Sequence, residues 1–273
     1  MSGITNIKLN DGNFIPNFGL GLWNVTDEKI FLDVFKTAIE AGYRMFDSAQ
    51  FYRNEQQLGN AIKQSKLKRT DLFITTKIAI NNFGRNKTLS SFNTSLEKLD
   101  LDYVDLLLLH FPVSLLRKKS WQALEEIKEA GKAKSIGVSN YTIRHLKEMD
   151  SYAKIVPVIN QVELHVFLQQ PELLEYCANK GIVVEAYSPL AHGQKMDNPI
   201  VQKIANKHNK TYPQIMLRFL IELGVVVIPK SVTKNRIEDN INIFDFKLDR
   251  QDIKDLKSAD QNLRTCWNPT LVP

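Results

Sequence analysis

The stretch Tyr103-Val104-Asp105-Leu106-Leu107-Leu108-Leu109-His110 decides how the chain is read. Four consecutive leucines between polar neighbours have neither the 3.6-residue period of a surface helix nor the alternation of a half-buried strand. They read as a strand covered on both faces, which is how strands of a parallel sheet look in sequence. Similar short apolar runs occupy 18–23, 44–47, 72–77, 133–139, 158–162, 182–187 and 225–229. Between them lie amphipathic stretches at helical spacing. Leu89, Phe92, Leu96 and Leu99 share one face, as do Trp121, Leu124 and Ile127. Gly42, Gly131 and Gly181 each stand between a helix and the next strand, where a left-handed cap is expected.

From the second run onward the strands end near residues 47, 77, 110, 139, 162, 187 and 229. The spacing is close to the roughly 30 residues of a βα unit. The widest interval, 187–229, has room for an additional helix, and 198–207 and 212–223 supply two. Eight βα units in series predict an α/β fold, a closed (β/α)8 TIM barrel, over the alternative of an open doubly wound sheet. No G-x-G-x-x-G follows a strand, which disfavours a Rossmann unit. Ahead of the first unit, residues 7–15 alternate apolar and polar around Asp11-Gly12 and predict a β-hairpin. The whole of 1–273 reads as a single domain.

Composition narrows the function classes. The 273 residues are 43% hydrophobic and 24% charged, which is ordinary for a globular protein. No apolar stretch is long enough to span a bilayer, and no signal peptide is expected at the start. Two cysteines, Cys177 and Cys266, make no disulfide framework and lack metal-ligand spacing, so no metal is expected. The expected compartment is the cytoplasm. The net charge of +6 is spread without a basic cluster, which leaves room for a small anionic ligand and disfavours nucleic acid.

In a barrel of this kind the chemistry lies where strands end. Those ends carry Asp47 with Tyr52 just beyond, Lys77, His110, Ser139-Asn140, Asn160 to Glu163, Tyr187-Ser188 and Lys230-Ser231. Each alone reads as a helix cap or a solvated strand end. Together, an acid, a phenol, an ammonium and an imidazole converge on one edge of three adjacent strands, and burying them is costly unless they pair. Asp47 can hold Lys77 in place, and Lys77 can lower the Tyr52 pKa towards neutrality. Tyr52 then suits general acid and base work on a carbonyl or alcohol oxygen, with His110 orienting that oxygen. Carbonyl reduction by such a cluster needs a hydride from a cofactor, since no side chain supplies one.

With these residues in view, the chain resembles the aldo-keto reductase family, and in particular its short-loop bacterial and lower-eukaryotic members, similar to diketogluconate reductases. The matching segments are 46–52, Thr75-Thr76-Lys77, 107–110, 137–140, 160–163, 186–190 and Ile228-Pro229-Lys230-Ser231, in the family's order along essentially the whole chain. The resemblance implies a barrel plugged by the N-terminal hairpin and a catalytic tetrad of Asp47, Tyr52, Lys77 and His110. It implies NADPH as cofactor: Ser139, Asn140 and Gln161 at the nicotinamide carboxamide, Tyr187 against the ring, Ser188 and Leu190 along the pyrophosphate. Lys230, Ser231 and Arg236 would meet the 2′-phosphate, and Asn240 the adenine. Trp23 and Phe111 would line the substrate pocket, with Phe111 standing where many members have Trp. Asp239 stands where many members carry Glu. The short segment 191–199 and the short tail after Arg264 argue against a long cofactor-covering loop and against substrate selection by the tail.

The implied activity is reduction of a small carbonyl substrate to an alcohol by a monomer. The alternatives are a non-catalytic NADPH-binding regulatory protein on the same barrel, which the intact tetrad disfavours, and an isomerase or aldolase barrel using Lys77 as a Schiff base, which a neighbouring Asp47 disfavours by keeping the lysine charged.

Overall fold

The structure, a computed structural model, describes residues 3–273. The expected hairpin is present: β1 (Asn6–Lys8) pairs antiparallel with β2 (Phe14–Pro16), with Ile7 opposite Ile15. Strands and helices then alternate. β3 (Leu20–Gly21), β4 (Met45–Asp47), β5 (Phe73–Ile78) and β6 (Val104–Leu109) are followed in turn by α1 (Glu28–Ala41), α2 (Glu55–Ser65), α3 (Arg85–Leu99) and α4 (Arg117–Glu129). β7 (Ala133–Ser139) leads to α5 (Ile143–Met149), and β8 (Ile159–Glu163) to α6 (Pro171–Asn179). After β9 (Val183–Tyr187) come two helices, α7 (Pro199–His208) and α8 (Tyr212–Glu222), as the wide interval in the sequence predicts. β10 (Val226–Val227), α9 (Lys234–Ile241) and α10 (Arg250–Ser258) complete the order. Gly42, Gly131 and Gly181 adopt φ of 103°, 73° and 68°, the left-handed values expected after helices.

β3 to β10 form one parallel eight-stranded sheet in sequence order. Its two edges meet. Phe18 bridges Val227 and Gly21 bridges Lys230 in parallel, with Gly19 N–H donating to Val227 O at 2.9 Å and Gly21 N–H to Pro229 O at 3.0 Å. The sheet is therefore a closed barrel and not an open doubly wound one. β3 and β10 are shorter than the apolar runs 18–23 and 225–229 suggest. At the seam the strands are staggered, so part of each run makes isolated bridges instead of continuous ladder.

The leucine run shows how the barrel sorts its side chains. Leu106 and Leu108 pack in an inner cluster with Leu9, Ile15, Met45, Phe73, Ile159, Val226 and Ile228, whereas Leu107 and Leu109 pack outward with the helices. Alternate residues of a strand point to opposite faces, so both faces of β6 are apolar for different reasons. The hairpin contributes Leu9 and Ile15 to the inner cluster and so closes one end of the lumen.

Gly137 on β7 is a point of close approach in this wall. A Cβ there would lie 2.7 Å from Ile159 O and 2.8 Å from Leu108 Cδ2. Gly137→Ala should destabilise the protein by about 1–3 kcal/mol through overpacking and lower its Tm by several degrees in a thermal melt. An unchanged Tm would mean that the β7–β8 spacing relaxes freely.

Candidate functional site

Period-two alternation above the apolar inner cluster gathers the strand-end residues. Two positions beyond Met45, Leu108 and Ile159 along the same inner faces come Asp47, His110 and Gln161. On β5, Lys77 stands four beyond Phe73 on that face, and on β9, Tyr187 stands four beyond Val183. A cavity of about 660 Å³ opens above this layer. Its lining includes Asp47, Tyr52, His110, Ser139, Asn140, Gln161, Tyr187, Ser188, Leu190, Lys230 and Trp23.

Lys77 lies beneath the cavity lining, fully buried, with Asp47 only 2% exposed beside it. The Lys77 ammonium donates to Asp47 Oδ1 at 2.5 Å, to Ser48 O at 3.0 Å and to Tyr52 Oη at 3.1 Å. Burial opposes the lysine's charge, but Asp47 and Tyr52 outweigh it, and the Lys77 pKa lies above the ordinary value. The turn that delivers Tyr52 is fixed by its neighbours. Buried Asn54 donates to Leu22 O and Val25 O and accepts from Ser48 Oγ. Gln50 accepts from Ala79 N–H and Asn82 Nδ2, and Arg53 ends the turn at a left-handed φ of 56°.

One expectation is corrected here. Lys77 does pull the Tyr52 pKa down, but burial pushes it up by more, helped by Asp47, so the phenol titrates above its ordinary value. It is held protonated at neutral pH, the form of a proton donor. The His110 ring meets that of Tyr52 edge to face, with centroids 5.6 Å apart. Burial, and then the Lys77 charge, push its pKa down to about 3, so the imidazole is neutral.

The residues expected at the nicotinamide already hold one another. Tyr187 Oη donates to Asn140 Oδ1 at 2.7 Å, and Asn140 Nδ2 donates to His110 O and Ser139 Oγ at 3.0 Å. Asn140 adopts a left-handed φ of 65° to do so. Gln161 Nε2 donates to Asp47 Oδ2 and to Glu185 Oε2, both at 2.9 Å. Ser188 Oγ is within 2.8 Å of His192 Nε2. Lys230 lines the cavity, with no carboxylate in ion-pair reach among the described residues, and burial lowers its pKa. Ser231, exposed Arg236 and buried Asn240 continue from it onto the first turns of α9. Phe111 lies outside the cavity lining and packs edge-on to Trp267, with centroids 5.9 Å apart.

Sequence reasoning missed part of the wall. Phe51, His192, Thr265, Cys266 and Trp267 also line the cavity. The tail, too short for substrate selection by a long loop, nonetheless reaches the cavity, and Glu163 anchors it. That buried carboxylate accepts from Thr265 N–H and Thr265 Oγ1 at 2.6 Å and from Cys266 N–H at 3.2 Å. The signal was an acidic residue inside the strand-end segment 160–163, which has no reason to be buried there unless something covers it.

Comparison with known proteins agrees with this arrangement. The pattern of the Aldo/keto reductase family matches residues 17–261. The chain is 43% identical to the glyoxal reductase of Bacillus subtilis, covering 96% of this chain and 95% of that one. It is 40% identical to the methylglyoxal reductase DkgA of Escherichia coli K12, covering 98% of both. Among solved structures, an aldo/keto reductase from Brucella melitensis superposes with a TM-score of 0.91 at 42% identity, covering 94% of this chain and 100% of that one. The Bombyx mori aldo-keto reductase in complex with NADP gives 0.90 at 36% identity, covering 96% and 94%. This chain belongs to the aldo/keto reductase family.

Proposed function

We propose that the protein reduces aldehydes or ketones to alcohols with NADPH, and that Tyr52 delivers the proton. The observation that carries this reading is a phenol held protonated at the floor of an open cavity, 3.1 Å from a fixed ammonium and beside a neutral imidazole. A carbonyl oxygen placed between Tyr52 and His110 receives two hydrogen bonds. As negative charge develops on it, Tyr52 gives up its proton, and Lys77 stabilises the phenolate left behind. Asp47 keeps Lys77 charged and in place. Bound NADPH contributes the hydride, which no side chain can supply.

The residues fit that cofactor. Lys230 is a partly desolvated cation with no carboxylate partner among the described residues, and exposed Arg236 likewise has none. Both lie near the N-terminus of α9, whose Thr233 makes no side-chain cap, so the N–H groups and helix dipole favour an anion. Lys230, Ser231 and Arg236 would hold the 2′-phosphate and Asn240 the adenine. Ser188 and Leu190 would lie along the pyrophosphate, and Tyr187 against the nicotinamide. Ser139, Asn140 and Gln161 would hold the carboxamide, Gln161 through its carbonyl oxygen because its amide donors face Asp47 and Glu185.

The relatives' names support small aldehydes and α-oxoaldehydes as substrates. The half-exposed rings of Trp23, Phe51 and Trp267 around the cavity support apolar substituents over polyhydroxylated ones. A panel of α-oxoaldehydes, aromatic aldehydes and keto sugars, scored by loss of NADPH absorbance, tests both points. No turnover on any of them would reject the reading.

Tyr52→Phe should keep NADPH binding, read by tryptophan fluorescence quenching, and lose roughly 10²- to 10⁴-fold in turnover. Near-normal turnover would make Tyr52 a pocket aromatic only. Because His110 titrates at about 3, reduction should show no imidazole limb between about pH 5 and 8, and His110→Ala should lower kcat/KM far more than NADPH affinity. A limb near pH 6.5 that disappears in His110→Ala would contradict the neutral-donor role. For the cofactor, Arg236→Ala removes a charge-assisted contact worth about 1.5–3 kcal/mol. NADPH should then bind roughly 10- to 100-fold more weakly, with NADH little changed. Equal weakening of both would place Arg236 away from the 2′-phosphate.

A further inference from the structure

Glu185 stands on β9, fully buried, two residues before Tyr187 and on the same inner face of the barrel. Its backbone pairs with Gln161 on one side and Val226 on the other. Gln161 Nε2 donates at 2.9 Å to Glu185 Oε2 and, equally, to Asp47 Oδ2. Glu185 Oε1 is buried and has no hydrogen-bond partner among the described residues.

Two buried carboxyl groups thus share one amide, and the charged group facing both is Lys77 from β5. Lys77 gives its ion pair to Asp47. A second carboxylate there would carry an uncompensated buried charge on a bare oxygen, and a carboxyl group in that position keeps its proton instead. Burial, and then repulsion from Asp47, push the Glu185 pKa up to about 8. The remaining titratable group facing it is Tyr52, from the turn after β4, whose pKa Glu185 helps to raise.

We propose that Glu185 is a positioning residue, a neutral carboxyl group whose hold on Gln161 fixes the Asp47–Lys77 pair and whose charge state tunes the acidity of Tyr52. The assignment of its effect rests on Tyr52 as the proton donor. At neutral pH Glu185 adds no charge, and the site keeps one anion against one cation. In alkaline solution it ionises, and the added negative charge makes Tyr52 a weaker acid and its phenolate harder to form.

The linkage has a definite sign. The folded-state pKa of Glu185 lies above the unfolded value of about 4.5. Its contribution to stability is whole below the unfolded pKa and is lost as pH rises towards the folded one. Glu185→Gln cannot ionise, so its Tm relative to wild type should climb between about pH 4.5 and 8 and then level off. Potentiometric titration without cofactor should show the wild type releasing about one more proton per chain than Glu185→Gln between about pH 6 and 10. A pH-independent Tm difference and identical proton release would overturn the proposal.

Infrared spectra of the wild type supply a measurement that no variant's folding can spoil. A protonated carboxyl band should be present at pH 7 and fade as pH rises through about 8, and its absence at pH 7 would overturn the proposal. Glu55 is also lifted by burial, so Glu55→Gln identifies any band belonging to it, and a band lost entirely in that variant would equally refute Glu185. In the alcohol-oxidation direction, where phenolate is the base, Glu185→Gln should move the ascending limb of the rate profile, set by ionisation of Tyr52, to lower pH, and an unmoved limb would remove the tuning role. Should Tyr52→Phe remain active while the Glu185 proton is found, the proton-donor reading fails and the neutral carboxyl stands.

Discussion

The Lys77–Asp47 ion pair is the constraint on which the rest of the site depends. Burying each ion costs several kcal/mol, and removing one partner leaves the other uncompensated. The pair persists because every remaining valence is met. Lys77 also reaches Ser48 O and Tyr52 Oη, and Asp47 takes the second oxygen's hydrogen bond from Gln161. Those partners come from β4, β5, β8 and the turn after β4, and only a sheet closed on itself brings them to one point. Fold and site are therefore one problem: the closure of the sheet that brings these partners together also buries the pair.

The lumen is layered accordingly. An apolar inner cluster, with Leu9 and Ile15 of the hairpin beneath it, insulates the floor, and the polar layer rests directly on top. In that low-dielectric setting the same surroundings act oppositely on different groups. Burial lifts Tyr52 and lowers His110, so both are neutral hydrogen-bond donors at neutral pH, and the permanent positive charge belongs to Lys77. On the proposed reading, a carbonyl oxygen entering between them would meet donors that need not first lose or gain a proton.

Much of this was legible in the sequence, for a geometric reason. In a parallel barrel each strand ends at the same rim, so the last inward residue of each apolar run is a site candidate before any contact is known. Asp47, Lys77, His110, Gln161 and Tyr187 follow from that rule, and Tyr52 from its place one turn later. Glu185 escaped because it is the inward residue before the last, inside an apolar run, and only its register with Gln161 reveals what it touches. The sign of the Tyr52 shift escaped because sequence shows the neighbouring charge and not the depth of burial, and burial is the larger effect. The short β3 and β10 escaped because barrel stagger is a property of closure, which no single strand encodes.

The tail shows why length is a poor guide to reach. Arg264, Thr265 and Cys266 are tied to Glu163 at the rim of β8. Farther on, Val272 O accepts from Arg144 and from His145 Nε2, and Pro273 O accepts from Arg117. A segment held at both ends across the mouth needs few residues to place a side chain over the cavity. Trp267 lies between those anchors, edge-on to Phe51 at 5.6 Å and to Phe111 at 5.9 Å. These anchors hold the wall in the folded chain, so much of its ordering entropy is met during folding. The carboxylate that makes this possible is buried on the barrel itself. A strand of the barrel therefore fixes where this wall of the cavity stands.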